Sequence, residues 1–406
     1  MKLRPVHFIG IGILVVGIVA VLILQVTGLG RGDNRPGGNL TEVTGVVGSE
    51  KKAFFDDPLV EERFAELGYD VNVTTSGSWR MAELAGLTEN DFAFPASEIA
   101  ADNIEATHAD AVLSTHKPFF SPLAIATFEP VMELLERNGA ASKDASGAWQ
   151  LDMAAYLDLV NNDTRWNQLE GAADLYNSPR SVMITSTDIR TSNSAGMYLA
   201  LASYVLNGDS VMTSQAQAAP YLDLLTQLFV AQGYAGASSA APFEDYLSQG
   251  IGAVPMVFVY EGQFLEEQVR DGSRIQDGMV LAYPSPTIFS VHTGVTFSEA
   301  GQQVMQLLET DPELASLLSA HGFRPTGQNS NAFAEYTEAQ QIADQYPATS
   351  AFVNLAQEPS YEMLDYLLTE ISAAYDVSGV PPATPETQDP STATPDQTST
   401  GQDESP

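Results

Sequence analysis

SVMITSTDIRTSNSAGMYLALASYVL, residues 181–206, is the stretch on which the reading of the fold turns. Val182, Met183 and Ile184 form a short apolar run that reads as a buried strand. A loop dense in small polar groups follows: Thr185, Ser186, Thr187, Asp188, Thr191, Ser192, Asn193 and Ser194. An apolar helical run then begins at Met197. The first N–H groups of a helix have no partner inside it, and the helix dipole makes that end weakly positive. A Ser- and Asn-rich loop at such a place either caps the helix or holds an anion or polar ligand.

The same strand, loop and helix order recurs earlier. A strand at 43–47 ends in Gly48-Ser49-Glu50-Lys51-Lys52, followed by a helix at 53–67 that is interrupted near Pro58 and stopped by Gly68. A second strand, 70–74, ends in Ser76-Gly77-Ser78-Trp79-Arg80 before a helix near Met81. A third, 91–94, ends in Pro95-Ala96-Ser97 before a helix at 98–106. Alternating strands and helices predict a mostly parallel sheet, with ligands beyond the carboxyl ends of its strands. One Ser before a helix is ordinarily a cap; several on one sheet edge also suit a binding site. Downstream, strands are expected at 122–127, 252–260, 279–283 and 288–295. Helices are expected at 128–138, 151–160, 221–232, 262–270, 300–308, 312–320 and 362–374. Pro312 suits a first helical turn.

The 406 residues hold 52 acidic and 17 basic side chains, a net charge of −35. Such a surface repels nucleic acid and anionic lipid, so neither is expected as a partner. There is no Cys, which excludes disulfides, a thiol nucleophile, thiolate metal sites and lipid attachment through an N-terminal Cys. Residues 6–29 carry no charged side chain, and about 20 such residues cross a bilayer. They read as an uncleaved transmembrane signal anchor behind a cytoplasmic tip, 1–5; cleavage and secretion is the alternative. Residues 30–42 read as a linker. Residues 376–406 have no aromatic residue, Lys or Arg and recurrent Pro, and read as a disordered acidic Pro/Thr/Ser tail.

VVGSEKKAFFDDPLVEERF, DFAFPAS, FFSPLAIAT, ITSTDIRTSNSAGMYLALASYV, VPMVFVYEGQFLEE, LAYPSPTIFSVHTGV and LSAHGFRP occur in this order. Together they resemble an extracellular solute-binding protein of the type 2 periplasmic-binding fold, in the membrane-anchored form of Gram-positive bacteria. The resemblance spans about residues 43–370. It implies an α/β fold of two lobes with mixed, mostly parallel sheets and flanking helices. Crossing strands join the lobes at PFFSPLAIAT and LAYPSPTIFS. Lobe one would comprise 43–121 and 285–375, lobe two 122–284. Ligand would sit between them and pass to a membrane permease of an ABC-type uptake system. The family's usual lipid-bearing Cys is absent here, and an anchored chain of this fold also suits an envelope sensor or assembly role.

The resemblance places Ser49, Ser78, Ser97, Ser192, Asn193 and Ser194 among the loops that contact a ligand, and Tyr260-Glu261 as the second lobe's contact. Arg80 and Arg190 are the cationic candidates for clamping a carboxylate or phosphate. Each is also an ordinary surface Arg in an acidic chain. Glu261 suits either a cationic ligand or the positive start of a helix. Trp79 serves either to stack on a ligand or to pack. The His residues lack metal-ligand spacing, and His321 before Gly322 reads as a helix C-terminal residue. Asp56-Asp57 and Glu61-Glu62 read as a solvated helix face. No G-x-S-x-G elbow, H-E-x-x-H or P-loop is present, so no enzyme activity, metal or cofactor is expected.

Overall fold

The computed structural model describes residues 40–232, 236 and 239–378. The segment read as an anchor, 6–29, most of that read as a linker and nearly all of that read as a tail lie outside them; no described helix is long and apolar enough to cross a membrane. The final helix, Tyr361–Ser378, continues three residues into the segment read as tail.

The strands are β1 (Thr41–Val47), β2 (Tyr69–Thr75), β3 (Phe92–Phe94), β4 (Ser114–Phe128), β5 (Ala141–Lys143), β6 (Trp149–Asp152), β7 (Met256–Tyr260), β8 (Met279–Ser285), β9 (Phe289–Thr296) and β10 (Arg324–Pro325). Their order is β2-β1-β3-β9-β4-β8-β6-β5, with β7 and β10 also paired to β4. The sheet is mixed, not mostly parallel. Only β1–β2, β1–β3 and β6–β8 run parallel, against six antiparallel pairings. Parallel pairs need a crossover connection, and the helices after β1 and β2 provide it. β4 runs against every strand it touches.

β4 organises both halves. Residues 114–122 pair with β9 and residues 123–128 with β7 and β8. The two prolines within it fall where a ladder donor is dispensable. Pro118 sits in the register shift between His116 and Phe119, and Pro122 at the change of partners. The last six residues are buried on both faces, which suits their mostly apolar sequence; Thr127, the one polar residue, donates to Pro255 O (2.9 Å).

Side-chain alternation divides the first half into two layers. Val43, Val47, Phe92 and Phe94 pack with Phe54, Phe64, Leu308 and Leu318, while Val46 and Ala93 face Met81, Ile104 and Val295. The second half packs the helix Asn193–Leu206, β7 and the helix Leu222–Val230 into one core, and Leu364, Leu367 and Ile371 of the final helix join it. Residues 182–184 do not form a strand. Val182 and Ile184 are buried as their apolarity predicts, but they are flanked by single bridges, Arg165 to Ser181 and Thr185 to Val257. The Ile184 N–H donates to the Tyr156 hydroxyl (2.9 Å) instead of a neighbouring strand.

The halves also meet where Gly322 faces Gly262. Gly322 has φ +74°, and a Cβ there would lie 2.2 Å from the Gly262 Cα. Gly322→Ala should therefore lower the unfolding free energy by about 1–3 kcal/mol, from left-handed strain and overlap combined. Denaturant unfolding checks this; an unchanged midpoint would show that the close approach is not required.

Candidate functional site

Several loop-to-helix junctions converge on one cleft. From one side come Trp79, on the 3₁₀ turn Ser78–Glu83, and Ser97, which precedes the helix Glu98–Thr107. From the other come Ile189, Arg190, Thr191, Ser192, Asn193, Gly196 and Met197. Glu358 and the final helix close the third side. The space between has room for one or two water-sized groups, so the cleft is narrow.

The two helix starts are built differently. The Ser97 hydroxyl accepts from Ala100 N (3.3 Å), an ordinary cap. The other helix begins at Asn193, four residues before Met197, and its N-cap Ser192 makes no side-chain cap. Neighbours divert the polar groups. Thr187 Oγ1 lies 2.8 Å from Ser192 Oγ, as donor, and 3.0 Å from Ser194 Oγ. Asn193 Nδ2 donates to Tyr260 OH (3.2 Å). The positive end of a 14-residue helix thus reaches the cleft without a side-chain cap.

A polar network supports the floor. Tyr260 ends β7, and the Gln263 side chain accepts its N–H (3.0 Å). Burial, then the charge of Glu50, pushes the Tyr260 phenol up, so it stays protonated and can donate. Ser290 Oγ donates to Ala96 O beside Ser97 and lies 3.5 Å from His292 Nε2. Fully buried Lys51 contacts His292 Nδ1 (3.0 Å) and donates to Glu50. Burial, then Lys51, holds His292 well below its usual range, so it is neutral.

Of the residues singled out from sequence, Ser97, Ser192 and Asn193 line the cleft. Tyr260 stands behind Asn193, and Ser194 is buried behind Ser192. Ser78 lies behind Ser97, its hydroxyl accepting from Ala96 N (3.0 Å). Ser49 is exposed on the turn after β1, away from the lining. Arg80 is 71% exposed and 3.6 Å from Glu83. Glu261 is not open to a ligand. It is wholly buried, receives two bonds from Arg324 (2.7 Å each) and accepts a third from Tyr283 OH (2.6 Å). Its partner is 63 residues away in the chain, which is why sequence reading left it open to a cation. Arg190 lines the cleft but binds Asp188 (2.9 and 2.6 Å). Trp79 lines it while stacking on Tyr361, with centroids 4.5 Å apart.

Glu358 was not singled out; nothing in sequence separates it from the other 51 acidic residues. Burial, and then Glu98 and Asp102, push its carboxyl up to about 8. Among the described residues no group of three or more His, Cys, Asp or Glu is placed to hold a metal.

No protein-family model matches the sequence, and no curated protein is detectably similar to it. Solved structures do share its fold. Apo ferric ion-binding protein A from Pasteurella haemolytica superposes with a TM-score of 0.52 at 11% identity, over 82% of this chain and 98% of that one. An ABC transporter from Clostridium perfringens and iron-bound HitA from Pseudomonas aeruginosa each give 0.50 at 11% identity, over 82% of this chain and 99% of theirs. The chain therefore has the two-lobed α/β fold of solute-binding proteins, with a mixed sheet and flanking helices.

The two helix starts predict different costs. Ser97→Ala should lose about 1 kcal/mol with its cap, whereas Ser192→Ala should change stability by less than about 0.5 kcal/mol. Chemical denaturation of both variants checks this; equal losses would mean that Ser192 caps its helix after all.

Proposed function

We propose that this protein is an extracytoplasmic solute-binding protein. It captures a small polar or anionic solute in the cleft between Ser97 on one side and Ser192 and Asn193 on the other, and delivers it to the membrane permease of an ABC-type uptake system. The observation that carries the reading is the helix start at Asn193. It faces the cleft without a side-chain cap, opposite a second helix start at Ser97. Neutral donors and two helix ends suit an oxyanion or a group rich in acceptors. Arg80 and Glu261 argued for opposite ligand charges; neither lines the cleft. The acidic exterior opposes an anion only weakly at working salt, because the Debye length is about 8 Å.

In this reading residues 6–29 anchor the chain in the cell membrane with the lobes on the extracellular face. Lobe one comprises the first three strands with their helices and the segment after β8, as far as the loop that precedes the final helix. Lobe two comprises the chain from 123 to β8. The final helix rides on lobe two, since its apolar face joins that core. Swinging about β4 and the β8–β9 passage would admit a solute, and closing would exclude water.

Thermal unfolding of the full chain against a panel of inorganic oxyanions, amino acids, sugars and short peptides tests the reading. A specific solute at one hundred times its Kd should stabilise by about 2.7 kcal/mol. Asn193→Ala should weaken that solute roughly tenfold or more, while Arg80→Ala leaves it unchanged. No shift with any solute would remove the reading's support; turnover of a solute would replace binding with catalysis.

A further inference from the structure

Glu358 presents a carboxyl to the cleft, and among the described residues it makes no hydrogen bond or ion pair. Its backbone is held. The preceding loop bridges to the turn between β8 and β9, through Thr287 N to Asn354 O (2.9 Å) and Ala356 N to Thr287 O (2.8 Å). Pro359 is buried, and the final helix starts two residues later. Glu358 is half-buried and lines the same space that the uncapped helix start, Asn193 and Ser97 enter. A half-buried carboxyl at the edge of so narrow a space, with no protein partner among the described residues, is placed to pair with a group that visits the cleft.

We propose that Glu358 is the selectivity group of the cleft: it carries a proton while an oxyanion is bound and donates it in a hydrogen bond to that oxyanion, so that capture of the anion is coupled to occupancy of this one proton. The inference rests on the solute-capture reading and gives it a substrate class. Below about 8 the proton stays on Glu358 whether or not the anion is bound; above it, the proton comes from solvent on binding and returns there when the anion leaves, and no other covalent bond changes.

The surroundings favour the acid form. Glu98 and Asp102 on the helix Glu98–Thr107 add repulsion to a charged Glu358. Lys117 is already paired with Glu98. From the loop before Asn193, the charge of Arg190 is countered by Asp188. From β7, Tyr260 is a neutral phenol. On its own segment Tyr361 is neutral, and Glu362 and Asp365 are further acids. The Arg80–Glu83 pair beside Tyr361 brings both signs. Burial ranks first among the causes that hold the carboxyl near 8. A bound anion adds negative charge and raises it further.

The sign follows. Below about 8 the free cleft holds the proton and anion affinity is flat; above it, each pH unit costs about tenfold. A cation, or a solute that only donates, would show the opposite slope.

The experiment is calorimetric titration of the full chain with sulfate, methanesulfonate and acetate, whose charges stay constant from pH 7 to pH 9.5, with glucose and glycine as controls. The proposal expects at least one anion to bind roughly 30-fold more weakly at pH 9.5 than at pH 7. It expects proton uptake on binding above about 8, seen as a buffer-dependent heat. Glu358→Gln should bind with that dependence lost, and Glu358→Asp should retain it. Thermal unfolding shows whether each variant folds. Anion binding that is flat with pH in the native chain, or a pH slope that persists in Glu358→Gln, overturns the role of Glu358 and leaves solute capture standing. Binding of a control but no anion overturns the anion class alone. No binding at all overturns both.

Discussion

The bidentate pair between Glu261 and Arg324 holds the two halves in register. Glu261 opens the helix that follows β7, and Arg324 lies in β10, paired to the front of β4. Both side chains are buried. A buried pair is stable in place only when its remaining groups are satisfied, and here they are. Tyr283 donates to the carboxylate, Pro347 O accepts from the guanidinium, and the Phe333 ring lies 4.1 Å below it. Removing either partner would strand a charge, so the pair fixes geometry more than it adds net stability. The geometry it fixes matters to the cleft. Tyr260 directly precedes Glu261, and Tyr260 orients Asn193.

Around that pin the cleft is assembled from local backbone chemistry. Strands end, loops carry short polar residues, and helices begin. What distinguishes one junction from another is where the hydroxyls point. Ser97 turns its oxygen inward and caps. Ser192 is drawn toward Thr187 and leaves its helix start open. The larger His292–Lys51–Glu50 network behind them keeps the loops after β1 and β3 in place without contributing to the lining.

Much of the framework was legible in sequence, because local rules decide it. Gly68 ends a helix in the left-handed region, and Pro312 opens the helix Pro312–Ala320, which Gly322 closes; Asp57-Pro58 reads as an interruption but starts a new helix. The apolar residues Leu123–Ala126 announced a strand, though not that it continues through Phe128 or is buried on both faces. Three features were not legible. The apolar run 182–184 signalled burial, but not that a Tyr156 hydroxyl would take its backbone bond. Strand direction depended on β4 serving both halves, a long-range fact that periodicity does not carry. The fates of Glu261 and Glu358 were set by Arg324 and by the absence of any such partner, respectively, and neither leaves a trace in spacing.

In the proposed function the helix starts at Ser97 and Asn193 grip one solute between them. Hydrogen exchange of the full chain, with and without the solute that stabilises it most, tests this directly. Amides near 97–100 and 193–196 should gain protection together, at the same solute concentration. Protection confined to one of the two segments, or appearing only elsewhere, would contradict it.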